Sequence, residues 1–401
     1  MEQRQPQFDR FSGKPCISEE YPLQADKIFN LLEVDPKEDP NLRILDQREE
    51  DDLILVHYLE PTPTTQHIRG VIIDVVRGKI VAESFPHTEE YLASSKEALT
   101  VPVGESKGPD PTRCEVTKAH EGTILRVFRG ANSKKWYMST HRKIDGRRSR
   151  WSGPSFGEMF DEIWGVPYEW DEYLKPDACY IFLLSHGANR LVCEIPTPRI
   201  YHVQTFVSKT DGQMVATNYP LEKKHPGVEN QTRLDISSTE DLIQQAKNLD
   251  WKECSGLLVT QYSLTGEITG CWKLVPESYH FRRNIRGNEP NFRFRYLQLK
   301  SDGSEAKIRE LFPEKKDLFD QVEKDLKELP KFLVEYFVER YVRKNFIYLP
   351  REIHQVLENA KRNPDPTKPV EENISFYIAK SDARQRNAMI RFMLQEKKTT
   401  E

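Results

Sequence analysis

Hydrophobic and polar positions change rhythm along the chain, and the change divides it. From residue 52 to 208, apolar side chains come in short runs: "DLILVHYLE", "IRGVIIDVVRGKIVAESF", "EVTKAHEGTILRVFRG", "KKWYMSTHRKI", "ACYIFLLSH", "NRLVCEI" and "IYHVQTFVS". Runs of this length, rich in Val, Ile, Tyr and Phe and bounded by Gly or polar turns, predict β-strands. "GLLVTQYSLTGEITGCWKLV" predicts a hairpin-like pair. Helical spacing interrupts the strands at "ADKIFNLLEV", "SFGEMFDEIWG" and "STEDLIQQAKNL". In the last of these, Ser238–Thr239 and the acidic pair behind them suit a helix N-terminus.

Past about residue 303 the rhythm becomes i, i+3, i+4 throughout, from "EAKIRELFPEKKDLFDQVEKDLKELPKFLVEYFVERYVRKNF" to "ISFYIAKSDARQRNAMIRFMLQEK". "NPDPTKPVEEN" breaks it as a loop between helices. The pattern therefore predicts an α+β, sheet-rich domain over residues 1–303 and an all-helical domain over 304–401. The first 50 residues, mixed in charge and proline, read as an N-terminal extension of the first domain. No internal repeat or low-complexity stretch stands out.

Composition narrows the class only a little. With 37% hydrophobic and 30% charged residues, the chain can bury a sizeable core. A net charge of −4 means that any basic binding surface must be local. The six cysteines form no CxxC pair and no His-linked metal spacing, which favours reduced thiols in an intracellular protein. Cytosol, nucleus and virus particle all fit. No apolar run approaches the ~20 residues of a membrane span, and "MEQRQPQFDRF" lacks the pattern of a signal peptide.

Four stretches put a strand end, a turn and polar residues together: "KAHEGT", "STHRKIDGRRSRW", "FLLSHGANRLV", and "SGLLV" with the later "CWKLVPESY". Their order and spacing carry more than any one alone. His120, His141 and His186 are too far apart along the chain to announce a metal or acid–base cluster.

Together these stretches resemble the bacteriophage T4 RNA ligase 1 type of ATP-dependent RNA ligase, within the covalent nucleotidyltransferases, and ligase-like proteins of large DNA viruses. "RGVIIDVVRGKIVAESFP" resembles the family's upstream strand pair, led by Arg69. "KAHEGTILRVF" is similar to its nucleophile motif, and "WYMSTHRKI", with Ser139, to the next strand. "FLLSHGANRLV" keeps Phe182, Asn189, Arg190, Leu191 and Val192 in register with a motif that begins Phe–Glu. "SGLLV" resembles Glu–Gly–x–Val–Val, and "CWKLVPESY" a Lys–x–Lys segment that retains Lys273.

The resemblance implies an ATP-grasp-like ligase domain of antiparallel sheets with flanking helices. It also implies ATP with Mg2+ or Mn2+, and RNA with single-stranded or nicked ends as partner. A lysine attacks the α-phosphate to form lysyl-AMP, glutamates hold the ribose and a metal, and further lysines stabilise the phosphate. By resemblance, Lys118 is the catalytic candidate, and Arg69, Glu121, Gly122, Ser139, Phe182 and Lys273 are nucleotide-binding candidates.

The sequence departs from that pattern. Anchored on Gly122, the nucleophile position holds Ala119, with Lys118 one residue upstream. The ribose glutamate is replaced by Leu183, the glutamate before Gly256 by Ser255, and the second lysine of Lys–x–Lys by Val275. A one-residue slip in a strand turns a side chain to the opposite face unless a bulge restores it.

Two basic stretches flank these motifs. Arg142, Lys143, Arg147, Arg148 and Arg150 crowd "HRKIDGRRSRW", while Arg282, Arg283, Arg286, Arg293 and Arg295 alternate with aromatics in "FRRNIRGNEPNFRFRY". The alternation in "FRFRY" is that of a half-buried strand. Arginine forks match phosphates and aromatic faces stack on bases, so Arg142, Lys143, Arg147, Arg148, Arg282, Arg283 and Arg286 are nucleic-acid-binding candidates.

Three readings follow. The first is a degenerate ligase-like protein that keeps RNA or nucleotide binding. The second is an active ATP-dependent RNA ligase using Lys118. The third is a structural or virion interaction protein whose helical tail, with "FLVEYFVERYV", mediates assembly. A capping-type guanylyltransferase suits the upstream strands and helical tail less well.

Overall fold

The computed structural model describes residues 13–107, 111–151, 153–165, 170–217 and 220–400. The chain separates into two compact units, Met1–Phe281 and Arg282–Glu401. The division falls earlier than residue 303 because the segment after the last long strand is already helical.

In the first unit, helices α1 (Ile17–Glu20) and α2 (Ala25–Leu32) lead into strands β1 (Leu42–Arg48), β2 (Leu53–Tyr58), β3 (Arg69–Asp74) and β4 (Lys79–Ala82). These four strands form an antiparallel sheet in sequence order. Ile17, Phe29, Leu32 and Leu42 are buried in one core with β2 and β3, so residues 17–48 are built into the fold rather than appended to it. The half-polar "LRILDQR" hid β1, which has only one strongly buried side.

Next come β5 (Glu89–Leu92), β6 (Glu105–Ser106), β7 (Thr112–Lys118), β8 (Thr123–Arg129) and β9 (Trp136–Ser139). After helices α3 (Phe156–Trp164) and α4 (Trp170–Tyr173), the chain forms β10 (Ala178–Ser185), β11 (Arg199–Ser208), β12 (Met214–Thr217), β13 (Val228–Asn230) and β14 (Arg233–Leu234). Helix α5 (Thr239–Lys247) precedes the hairpin β15 (Leu257–Ser263) and β16 (Ile268–Val275). The second sheet runs β12-β11-β10-β8-β9, with β13 beside β11. The third runs β14-β7-β15-β16-β5, with β6 beside β7. Pairing is antiparallel except between β11 and β13 and between β16 and β5.

Alternation along the strands sorts the cores. On the second sheet, Leu125, Val127, Tyr180, Phe182 and Leu184 pack with Phe160 and Trp164 of α3. Phe128, Cys179, Ile181 and Phe206, on its other face, join the first sheet and Tyr262 and Cys271 of the third. The outer face of the third sheet packs Val116, Leu257, Val259 and Leu274 on Leu242 and Ala246 of α5. The expected helix start at Ser238 is capped, and so is that of α3 at Ser155. Ser155 Oγ accepts from Glu158 N at 3.2 Å while Glu158 Oε2 accepts from Ser155 N at 2.7 Å. Ser238 Oγ accepts from Asp241 N at 3.1 Å.

Helix α6 (Glu277–Arg286) crosses the division, and α7 (Phe292–Ser301), α8 (Glu305–Leu311), α9 (Lys316–Phe337), α10 (Arg351–Arg362), α11 (Val370–Lys380) and α12 (Ala383–Thr400) complete the second unit. "FRFRY" is therefore helix rather than strand: Asn291 Oδ1 accepts from Phe294 N at 3.2 Å, and Tyr296 and Leu297 enter the helical core. The aromatic face of "FLVEYFVERYV" packs within this unit, where Phe332 and Tyr336 meet Phe392 at 6.1 and 5.5 Å between ring centroids. The molecule is thus α+β with a helical C-terminal part. Among the described residues no helix is long and apolar enough to cross a membrane.

Candidate nucleotide and RNA site

The junction "KAHEGT" carries the chain from β7 in the third sheet to β8 in the second. Strand register decides which of its side chains face inward. Lys118 pairs with Leu257 and Leu257 with Leu274, in a β7·β15 ladder that runs from Ser263↔Thr112 to Leu257↔Lys118 without a bulge. Directly paired residues share a face, so Lys118 lies on the outer, α5-bearing side. There its Nζ sits 3.4 Å from Glu253 Oε2 in a solvent-accessible ion pair. Beyond that pair Ala119 N donates to Gly256 O at 2.9 Å while Ala119 O accepts from Ser255 N at 2.8 Å, so two residues preceding β15 oppose Ala119 in a bulge on the partner side. Thr117, Leu258 and Lys273 share the inward face, and Ala119, the residue after Lys118, is buried. Within β7, up to Lys118, no bulge shifts the register.

The other replaced positions are filled and sealed. Ser255 is buried, its Oγ donating to Ala119 O at 2.7 Å. Val275 packs with Val192, Cys193 and Tyr279. Leu183 alternates with Phe182, so it faces inward while Phe182 lies among Phe160 and Trp164 beneath α3. Phe182 is a core residue of the opposite face, away from any nucleotide at the junction. A Cβ at Gly122 would strike the Leu184 carbonyl and the Leu183 side chain, so glycine here serves the close crossing of β10.

Glu121, expected to meet a nucleotide, is buried and fully engaged by the protein. Its carboxylate accepts from the N–H groups of Leu191 (3.2 Å), Val192 (2.9 Å) and Cys193 (2.9 Å) and from Tyr279 Oη–H (2.6 Å). This explains why "NRLVCEI" is not a strand: its amides wrap a carboxylate instead of joining a ladder. Asn189 ties the same loop to Thr123 Oγ1 at 2.9 Å. His120 stacks on Tyr201 with centroids 4.4 Å apart and rings 2° from parallel, and burial lowers its pKa. Tyr279 closes the stretch "CWKLVPESY", whereas Tyr201 had no motif to mark it.

Lys273 does face inward, 3.7 Å from Glu90 Oε1 and 5.6 Å from the Tyr279 ring centroid. Its strand partners are Leu258 and Glu90. Among the described residues no three His, Cys, Asp or Glu side chains are placed to hold a metal ion.

A basic group lies at the start of β3. Arg69 shares it with Arg126, a fully buried arginine whose guanidinium donates to the backbone oxygens of Gly70 and, at 2.6 Å, Thr140. Burial lowers Arg126 to about 10. His57 and His141, 5.7 Å apart, are held neutral at about 4 and about 3, first by burial and then by Arg69, Arg142 and Arg126. Ser139 is buried behind this group, its Oγ donating to Arg126 O at 3.4 Å. Nothing about "TILRVFR" except a charge at an inward position foretold Arg126.

The basic stretches separate on inspection. Arg142, Lys143, Arg148 and Arg150 are exposed on the loop after β9. Arg147 is bound to Asp161, and Lys143 stands 3.4 Å from Asp46. In the second unit Arg286 is buried, stacked 4.0 Å over Phe292 and donating to Glu289 O, so it belongs to the helical core rather than to a nucleic-acid surface. Arg282 and Arg283 are partly exposed on α6.

Among solved structures, the chain is similar to ATP-dependent ligases. An archaeal ATP-dependent RNA ligase (form 1) is 13% identical with a TM-score of 0.44, each chain covered over 69%. Form 2 is 11% identical with a TM-score of 0.42, over 77% of this chain and 83% of that one. A putative ATP-dependent DNA ligase from Aquifex aeolicus is 10% identical at 0.38, over 73% and 77%. More specific are two viral relatives, each named an immediate-early protein ICP-46 homolog. That of Invertebrate iridescent virus 3 is 28% identical over 298 residues, 71% of this chain but 62% of the relative's own length. That of Invertebrate iridescent virus 6 is 26% identical over 358 residues, 82% of this chain and 76% of the relative. No family model matches the chain.

Proposed function

We propose that the first unit is a ligase-like nucleotidyltransferase module that has lost lysyl-AMP chemistry and acts by binding RNA. The observation that carries the reading is the β7·β15 ladder, unbroken up to Leu257↔Lys118, which sets Lys118 on the outer face. Inward Leu183 and Val275 add to it, because neither can hold a ribose or a phosphate. The order of the sequence motifs is the support for the ligase-like ancestry, and the viral relatives make a viral setting the natural one.

The exposed Arg142, Lys143 and Arg148 are the RNA contacts under this reading, with Arg69 and Arg126 sustaining positive potential beneath them. Filter binding of single-stranded RNA to the full chain tests it. Substituting the three exposed residues together with alanine is expected to weaken binding at least tenfold. The slope of log K against log salt should fall by about 2, given about 0.7 per phosphate contact on a single strand. Unchanged affinity and slope would remove RNA from this loop.

A further inference from the structure

Between α9 and α10 the second unit leaves large apolar side chains in the open. A π-helical turn, Val338–Val342, ends α9, and an irregular stretch leads on to α10. Along it Val342, Phe346 and Tyr348 are 64%, 92% and 89% exposed. Neither Phe346 nor Tyr348 meets another ring or a cation among the described residues. The backbone that carries them is held. Asn345 N donates to Glu339 O at 2.9 Å, and Arg340 Nη1 donates to Ile347 O at 3.1 Å. Ile347 and Leu349, which alternate with the exposed pair, pack in the helical core. Charge here is one-sided: residues 340–351 hold Arg340, Arg343, Lys344 and Arg351 and no acid. Glu339, just before them, is bound to Arg343 and to Asn345 Nδ2. Lys344 and Arg351 are exposed and make no ion pair among the described residues.

We infer that this stretch docks the protein on an anionic lipid surface, with Val342, Phe346 and Tyr348 entering the headgroup boundary and Lys344 and Arg351 meeting lipid phosphates. Binding in the plane of a bilayer grows with the apolar area buried and with attraction to anionic lipid. A tyrosine suits that depth, its ring apolar and its hydroxyl wet, and long basic side chains reach headgroups while their stems lie in the apolar layer. Because the backbone is already held, little ordering is lost on docking. Two other occupants fit less well. Unpaired bases could stack on the two rings, but aliphatic Val342 offers a base no stacking face. A protein partner would have Lys344 amid the contact, where lysine is depleted, and three side chains fall far short of the ~800 Å² that each partner of a stable interface buries. The docking is peripheral, in keeping with the lack of a membrane-spanning helix among the described residues.

Co-sedimentation of the full chain with phosphatidylcholine vesicles, with and without phosphatidylserine, tests the inference. Binding is expected on the phosphatidylserine vesicles, about tenfold or more above phosphatidylcholine alone, and should fall as salt rises. Phe346→Ala combined with Tyr348→Ala should cut partitioning by about tenfold or more at unchanged Tm, since both rings are exposed. Lys344→Glu combined with Arg351→Glu should weaken it to a similar degree on phosphatidylserine vesicles alone. Phe346→Trp should keep the binding and add a blue-shifted emission that brominated lipid quenches. Absence of phosphatidylserine-dependent binding, or binding that the double alanine variant leaves intact, would overturn the proposal. So would an affinity for single-stranded RNA, or a concentration-dependent dimer, that the same two alanines abolish, because either would give the rings to another partner.

Discussion

Two glutamates in the same unit have opposite surroundings. Glu121 is surrounded by donors that the protein itself supplies: three backbone amides and a tyrosine hydroxyl. Glu83 lines a cavity of about 420 Å³ and meets no donor among the described residues. The first belongs to the stretch that resembles a nucleophile motif, the second to the strand pair upstream of it. A carboxylate whose bonds are all internal has become part of the architecture. One left without a protein donor is held by water and keeps its titration.

The largest expected effect comes from breaking the satisfied one. Glu121→Ala strands the amides of residues 191–193 and the Tyr279 hydroxyl, and should lower stability by about 3–5 kcal/mol in urea denaturation, as for loss of a buried charged partner. A loss below about 1 kcal/mol would mean that the loop holds itself without the carboxylate.

Glu83→Gln should act in the other direction and depend on pH. Because the native carboxyl is raised to about 7 from the usual 4.5, the folded state binds this proton more tightly than the unfolded chain. Its stabilising contribution is complete below about pH 4.5 and is lost as pH rises through about 7. The variant should therefore match the wild type near pH 4.5 and exceed it above pH 7, by at most about 3 kcal/mol. Equal stability at pH 4.5 and 8 would place Glu83 in water.

Tyr279→Phe removes one of the four donors and keeps the ring, so about 1–2 kcal/mol is expected. Lys118→Ala should be the mildest, below about 1 kcal/mol, since it breaks only a solvent-accessible ion pair. A Lys118 substitution as damaging as Glu121→Ala would reverse the ranking and point to an inward lysine.

Much of the fold was legible because periodicity reports burial directly. The strands of β2, β3, β8, β10 and the β15–β16 hairpin, both capped helices and the helical tail follow from it. What failed did so for physical reasons. β1 is polar on one side, "FRFRY" alternates by coincidence on a helix whose Tyr296 and Leu297 are buried, and "NRLVCEI" spends its amides on Glu121. At the site, the one-residue slip of Lys118 and the losses at Leu183 and Val275 were visible in the motif register. Their consequence was not, because it depends on whether a bulge intervenes. Glu121 illustrates the limit most clearly: an acid beside glycine in a motif reads as a ligand contact, and only tertiary structure brings up the amides that claim it. Glu83, Tyr279 and Arg126 lie inside the quoted motif stretches, but nothing in those stretches marked them individually.

The central claim is that the junction no longer supports covalent nucleotide transfer to Lys118. Incubating the full chain with α-labelled ATP and Mg2+ or Mn2+, then denaturing it, measures this directly. The account predicts no label on the protein. Label that survives denaturation and vanishes in Lys118→Ala would contradict it.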